Sequence, residues 1–255
     1  MSQSYFPFLG YGGSQSQSGI DLLVLNPWRL YRANESGHPY VDGDPVTGWE
    51  DVVTTPANPL TTTNAPTFKT NILNGLPVVR FNGTSNWLQE GTRSIYSIFH
   101  ESAHSLAIVF FIKADTTANQ ILIATNDITN TAKGFTFYFR PAFQSLYHFA
   151  SNGSTTLQGF ALSGAIPYGT WHTAIFTFDG SAWRYKVDDG IIETDSKDAA
   201  IVVGDPQLAP LVGERGNSPS LYLNGDIPEI AFWNRELTDA EINQARDILK
   251  AKYAL

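Results

Sequence analysis

The segment Asn224-Gly-Asp-Ile-Pro-Glu-Ile-Ala-Phe-Trp-Asn-Arg-Glu-Leu-Thr-Asp-Ala-Glu-Ile242 joins a strand to a helix. Its first half belongs to a strand region running from Leu221 to Asn234. Its second half holds Thr238-Asp-Ala-Glu241, a capping box: the Thr oxygen takes a free backbone N–H, and the Glu carboxylate reaches back to Thr238. Leu237 and Ile242 stand at the positions of a hydrophobic staple. Ile242, Ala245, Leu249 and Tyr253 then fall on one apolar stripe, so a single helix is expected to close the chain.

Upstream the chain reads as short strands. Val78-Val-Arg-Phe81 leads into Asn82-Gly83, a pair that tolerates positive φ and favours a tight reversal, and then into Trp87-Leu88. Ser105 to Lys113 is apolar without polar alternation, as in a strand buried on both faces. Ile121–Ala124 follows. In Phe135-Thr-Phe-Tyr-Phe-Arg140 the three Phe share one face, and Thr136, Tyr138 and Arg140 share the other. Ser145–Ala150 and Leu157–Leu162 are further strands. Trp171–Phe178 and Trp183–Val187 flank an Asp179-Gly180 turn, Asp189-Gly190 makes another, and Leu208–Gly213 completes the series. Regular short strands with such turns predict a sandwich or barrel.

Residues 20–64 are rich in Pro and Gly, and Leu22–Leu25 and Asp51–Val53 are expected to form only brief strands or turns. Residues 1–19 read as a flexible arm. Gly10–Gly19 is of low complexity, and the aromatic cluster Tyr5-Phe-Pro-Phe-Leu9 suits an anchor on a partner surface.

The chain has 255 residues, 42% of them hydrophobic and 16% charged, enough to fill one large core. Its formal net charge of -8, with 16 Lys and Arg and no basic run, argues against nucleic acid and membrane surfaces as partners. With no cysteine, disulfides and thiolate chemistry are excluded. Met1–Gly19 has neither the basic start nor the apolar run of a signal peptide, so cytoplasmic synthesis is expected. Phosphate-cradling glycine loops and the G-x-S-x-G elbow are missing from the sequence.

Asn74-Gly-Leu-Pro-Val-Val-Arg-Phe-Asn-Gly-Thr-Ser-Asn-Trp-Leu88 resembles the strand-and-turn segment of laminin G-like, concanavalin A-like domains. The opening segment 224–242 resembles their closing one, Trp171–Gly180 their central hairpin, and Gly48-Trp-Glu-Asp51 their W-x-D element. The resemblance spans residues 21–255. It implies an all-β fold: a two-sheet antiparallel jelly-roll sandwich with one C-terminal helix, occupying residues 20–255 behind the arm 1–19. The fold hosts lectins, adhesins, glycan-processing enzymes and structural modules, so it implies function only loosely.

Candidate residues follow from chemistry. Trp28, Tyr31, Tyr40 and Trp49 form an aromatic set in the loops, and Tyr138 with Arg140 forms a second surface suited to stacking on sugars. Asp42, Asp44 and Asp51, or Asp188 and Asp189, offer the oxygen ligands of a calcium site, which laminin G-like domains often carry. His100-Glu-Ser-Ala-His104 has the zinc-peptidase spacing, but it runs into strand-like sequence where that motif needs a helix. Glu193-Thr-Asp-Ser-Lys-Asp198 approaches the E-x-D-x-x-E of glycoside hydrolases, yet reads as a polar loop. The expectation is a non-enzymatic, lectin-like binding module, without a cofactor except possible calcium. Its partners would be glycans or other virion and surface proteins, and a homo-oligomer is compatible with that. Domains of this style occur on bacterial surfaces and bacteriophage virions, so display on a virion or extracellular surface is expected. The alternatives are a purely structural capsid-decoration or tail-appendage protein held by its arm, and an enzyme.

Overall fold

A computed structural model of the chain describes residues 21–36, 39–54, 59–91, 103–113, 118–125, 133–152, 154, 156–160, 166–195, 209–216 and 221–255. The expected arm lies outside them. The strands are β1 (Arg29–Arg32), β2 (Gly48–Trp49), β3 (Leu60–Thr61), β4 (Thr67–Leu73), β5 (Leu76–Asn82), β6 (Leu88–Glu90), β7 (His104–Ile112), β8 (Gln120–Ala124), β9 (Gly134–Arg140), β10 (Ser145–Ser151), β11 (Thr156–Phe160), β12 (Trp171–Phe178), β13 (Trp183–Val187), β14 (Glu193–Asp195), β15 (Leu211–Val212) and β16 (Asn224–Trp233); helix α1 (Asp239–Tyr253) ends the chain. They form two antiparallel sheets. The first runs β14-β13-β12-β7-β16-β5-β4, with β1 also paired to β16; the second runs β11-β10-β9-β8-β15-β6-β3-β2. This is the jelly-roll sandwich expected from the sequence. Leu22–Leu25 forms a 3₁₀ turn capped by Asp21.

Alternation decides the packing. Leu106, Ile108 and Phe110 of β7 face the sandwich interior with Phe135, Phe137 and Phe139 of β9, while Ala107 and Val109 face outward under the helix. The uninterrupted apolar run of β7 is thus buried on both sides. On its inner stripe α1 presents Ile242, Ala245, Ile248, Leu249 and Tyr253 to Val78, Ile175, Ala231 and Trp233. The capping box is present, with Thr238 Oγ1 accepting from Glu241 N and the Glu241 carboxylate accepting from Thr238 N. Arg235 binds both Glu241 oxygens at 2.7 and 3.0 Å and, chiefly by those bonds, holds the Glu241 pKa down to about 2.

At its other end the helix is pinned by a buried charge. Glu229 of β16, 1% exposed, accepts from Lys252 Nζ at 2.6 Å and Tyr253 Oη at 2.7 Å. Removing one donor from a buried carboxylate costs about 1.5–3 kcal/mol. Tyr253→Phe should lose that much stability in urea titrations, with the loss concentrated in exchange protection of α1. An unchanged midpoint would show that the carboxylate does not depend on this bond.

Candidate functional site: a polar depression on the helix-bearing sheet

The helix covers only part of the outer face of the first sheet. Beyond it, the sheet presents one straight row across five strands: Trp171 on β12 is paired with Phe111 on β7, Phe111 with Asp226 on β16, Asp226 with Arg80 on β5, and Arg80 with Thr67 on β4. Strand alternation puts them there. Val79, Phe81 and Ile227 turn into the core, which leaves Arg80 and Asp226 outside. A second row lies one pleat on, where Asn82 is paired with Asn224, and Lys113 N donates to Asn224 O. All of these but Trp171, which packs on Phe111 at the border, line a depression of about 530 Å³, within the range of small-ligand sites.

Its two halves differ in chemistry. On one side the Phe111 ring makes an aromatic wall, with the Trp171 ring packed against it at 5.2 Å and 43°, both half-buried. On the other, Arg80 Nε and Nη2 donate to the two Asp226 oxygens at 2.8 Å each, a bidentate pair that raises the Arg80 pKa. Asn82 and Asn86 are used locally: Asn82 Oδ1 accepts from the amides of Thr84, Ser85 and Asn86, and Asn86 Nδ2 donates to Ala65 O. Among the described residues the Asn224 amide, the Lys113 ammonium, the Thr67 hydroxyl and Arg80 Nη1 have no side-chain partner. The depression therefore offers an apolar ring surface beside several uncommitted donors. The floor is tight: a Cβ on Gly225 would stand 2.0 Å from Phe111 O.

Most of the residues lining this depression lie in the stretch that carries the relationship to known proteins. The profile of the laminin G-like branch of the concanavalin A-like lectin/glucanases superfamily matches residues 82–243. The chain belongs to this superfamily. Among solved structures, the lectin-like sandwich aligns with a Trypanosoma rangeli sialidase in complex with 2,3-difluorosialic acid at 12% identity and a TM-score of 0.62, over 89% of this chain and 33% of that one. It aligns with the binding domain of botulinum neurotoxin serotype D/C at 11% identity and a TM-score of 0.60, over 87% and 51%. The CBM40 of a Ruminococcus gnavus IT-sialidase, bound to α2,3 sialyllactose, aligns at 11% identity and a TM-score of 0.52, over 65% and 94%. The chain thus spans about a third of the sialidase it matches. No curated protein matches it by sequence.

The residues singled out from the sequence scatter over this superfamily fold. Tyr31 and Trp49 are fully buried in the sandwich, with rings 6.1 Å apart. They have no face to offer a sugar and serve as core. Trp28 is half-buried under the Arg29 guanidinium, and the Tyr40 hydroxyl donates to Gly48 O and accepts from Gly48 N, fastening the loop to β2. Tyr138 is nearly buried on the outer face of the second sheet, with Arg140 more open beside it.

The carboxylates expected to share calcium serve separate local contacts. Asp42 accepts from Lys69 and Thr70, and Asp44 from Val41 N. Asp51 is buried beside Arg29 and accepts from Leu30 N and Val53 N. Asp188 binds His172 and Thr173 N, and Asp189 binds Arg246 and Lys250. Among the described residues no group of three or more His, Asp or Glu side chains is placed to hold a metal. His104 opens β7, buried among Phe135, Phe178 and Trp183, while His100 and Glu101 lie outside the described residues. Glu193 and Asp195, expected in a loop, form edge strand β14 against β13; Asp198 lies outside.

The depression has no local signature in the sequence. Arg80 and Asp226 are 146 positions apart, and only sheet register joins them. The usable signal was alternation: each sits one residue from a core-facing neighbour inside a family-like segment.

Proposed function

We propose that the depression on the helix-bearing sheet binds carbohydrate, and that the chain is a non-catalytic, lectin-like module. The observation that carries this is the Phe111 ring, buttressed by Trp171, set beside the uncommitted donors Asn224, Lys113, Thr67 and Arg80 Nη1. A pyranose presents an apolar C–H face for a ring and hydroxyls for donors, which is the division the site offers. Membership of a lectin-rich superfamily supports the reading, as does the sialyllactose held by the Ruminococcus gnavus module. Against hydrolysis stands the donor set. Asp226 is the one carboxylate among the lining residues, it is committed to Arg80, and glycosidases ordinarily need two.

Glycan-array screening followed by calorimetry tests the proposal. Trp171→Ala and Asn224→Ala should each weaken the best neutral ligand about tenfold or more, consistent with the loss of one ring or one hydrogen bond. An array without hits, or hits indifferent to both substitutions, would remove it. Display on a bacteriophage virion belongs to the same proposal. The cysteine-free composition and the domain style support it, and copurification with particles tests it.

A further inference from the structure

The opposite face of the sandwich carries a second, chemically different feature. Arg140 ends β9, and the chain turns through Pro141–Phe143 with Gln144 in the left-handed region before returning along β10. This turn brings Phe143 and Tyr147 together against the Arg140 guanidinium. The guanidinium carbon lies 4.6 Å from the Phe143 centroid and 4.9 Å from that of Tyr147, and the two rings are 6.1 Å apart. Phe143 is 57% exposed.

Charge makes the arrangement unusual for this chain. Arg29, Arg32, Arg80, Arg184, Arg235 and Arg246 each face a carboxylate. The Arg140 side chain has neither an ion pair nor a hydrogen bond among the described residues, in a protein of net charge -8. The two rings restrain the half-exposed side chain, whose guanidinium carries a planar N–H edge. That edge fits a carboxylate bidentately, and an exposed ring beside it fits an apolar C–H surface.

We propose that Arg140, Phe143 and Tyr147 form a second saccharide site, selective for carboxylate-bearing sugars such as a sialic or uronic acid residue. The carboxylate takes the Arg140 fork and the sugar ring lies on Phe143. The site rests on the glycan-binding reading of the chain but not on the depression across the sandwich, so the protein holds two independent sugar sites.

The test is calorimetric titration with sialyllactose and a hyaluronan oligosaccharide, each set against its carboxyl-reduced form. An acidic peptide serves as a further probe. Wild type should bind the acidic sugars and bind the reduced forms at least tenfold more weakly. Arg140→Gln should abolish that preference and leave the neutral ligand of the depression unaffected. Arg140→Lys should recover only part of it, since an ammonium lacks the fork. Trp171→Ala should leave acidic-sugar binding unchanged, so failure of the depression alone is seen as loss of neutral ligands only. Equal affinity for acidic and reduced sugars overturns the proposal, as does indifference to Arg140→Gln in a variant with an unchanged near-ultraviolet spectrum. Binding of the acidic peptide but not the sugars through Arg140 also overturns it.

Discussion

Acidification from pH 6.5 to pH 4 is expected to cost the fold about 3 kcal/mol through one side chain, His148. It projects from β10 into the sandwich, 1% exposed, with its ring 4.6 Å from that of Trp183 and 5.2 Å from that of Tyr185. The Tyr185 hydroxyl is 3.2 Å from Nε2, and Nδ1 has no partner among the described residues. Burial first, and repulsion from His104 second, push its pKa down to about 3. An unfolded histidine titrates near 6.5. Above that pH both states carry a neutral ring and His148 adds no pH dependence. Between about 6.5 and 3 the unfolded chain holds one more proton, so stability falls by about 1.4 kcal/mol per pH unit. Urea titrations of wild type and His148→Phe at pH 7, 5.5 and 4 measure this directly, because Phe keeps the ring stack and cannot protonate. The stability difference between the two should shift by about 3 kcal/mol in favour of the variant as pH falls. Carboxylates act in a lower window: the contribution of Glu241, whose pKa is depressed to about 2, is lost only as pH falls below its ordinary range, and it cancels between the two proteins. Parallel pH profiles would sink the prediction.

That a histidine sits in this core was not legible, although the strand around it was. Period-2 alternation in 135–140 and the unbroken apolar run of β7 were strong enough to place whole strands and their inner faces. The capping box fixed the start of α1 for the same reason, because its signal is local. What failed was anything set by partners distant in sequence. Tyr31 and Trp49 stand in short segments without periodicity, so nothing local distinguishes a core ring from a sugar platform. Glu193-Thr-Asp195 is polar and follows a turn, yet it pairs with β13 because that strand offers a free edge. The candidate site is the extreme case. Each member of the row Trp171–Phe111–Asp226–Arg80–Thr67 is an ordinary outward strand residue, and the site exists only in the register of five strands. Alternation alone puts Tyr138 and Arg140 on one outer face, but nothing local in the sequence announces the turn that brings Phe143 against Arg140.

Gly225→Ala should destabilise the fold by at least about 3 kcal/mol, and it tests the same register from the backbone side. Gly225 is paired with Ile112 where β16 lies against β7, just before the register shift between Asp226 and Glu229. A methyl group on Gly225 would stand 2.0 Å from Phe111 O and 3.3 Å from Leu223 Cδ1. The first contact is with backbone, which cannot rotate away as a side chain can, so β16 and β7 must part in the middle of the sheet. The flanking residues then move with it: Asn224 and Asp226 leave their places beside Phe111 and Arg80, and the depression loses its shape. Stability and neutral-sugar binding should therefore fall together in this variant, whereas Trp171→Ala affects mainly binding. Gly91→Ala is the matched control, because a methyl there meets nothing within 4 Å among the described residues and the backbone carries no positive φ. It should stay within about 0.5 kcal/mol of wild type. If Gly225→Ala behaves like Gly91→Ala in urea titrations, the close approach of β16 to β7 is not a constraint on this fold, and the row that depends on it has no fixed geometry to bind with.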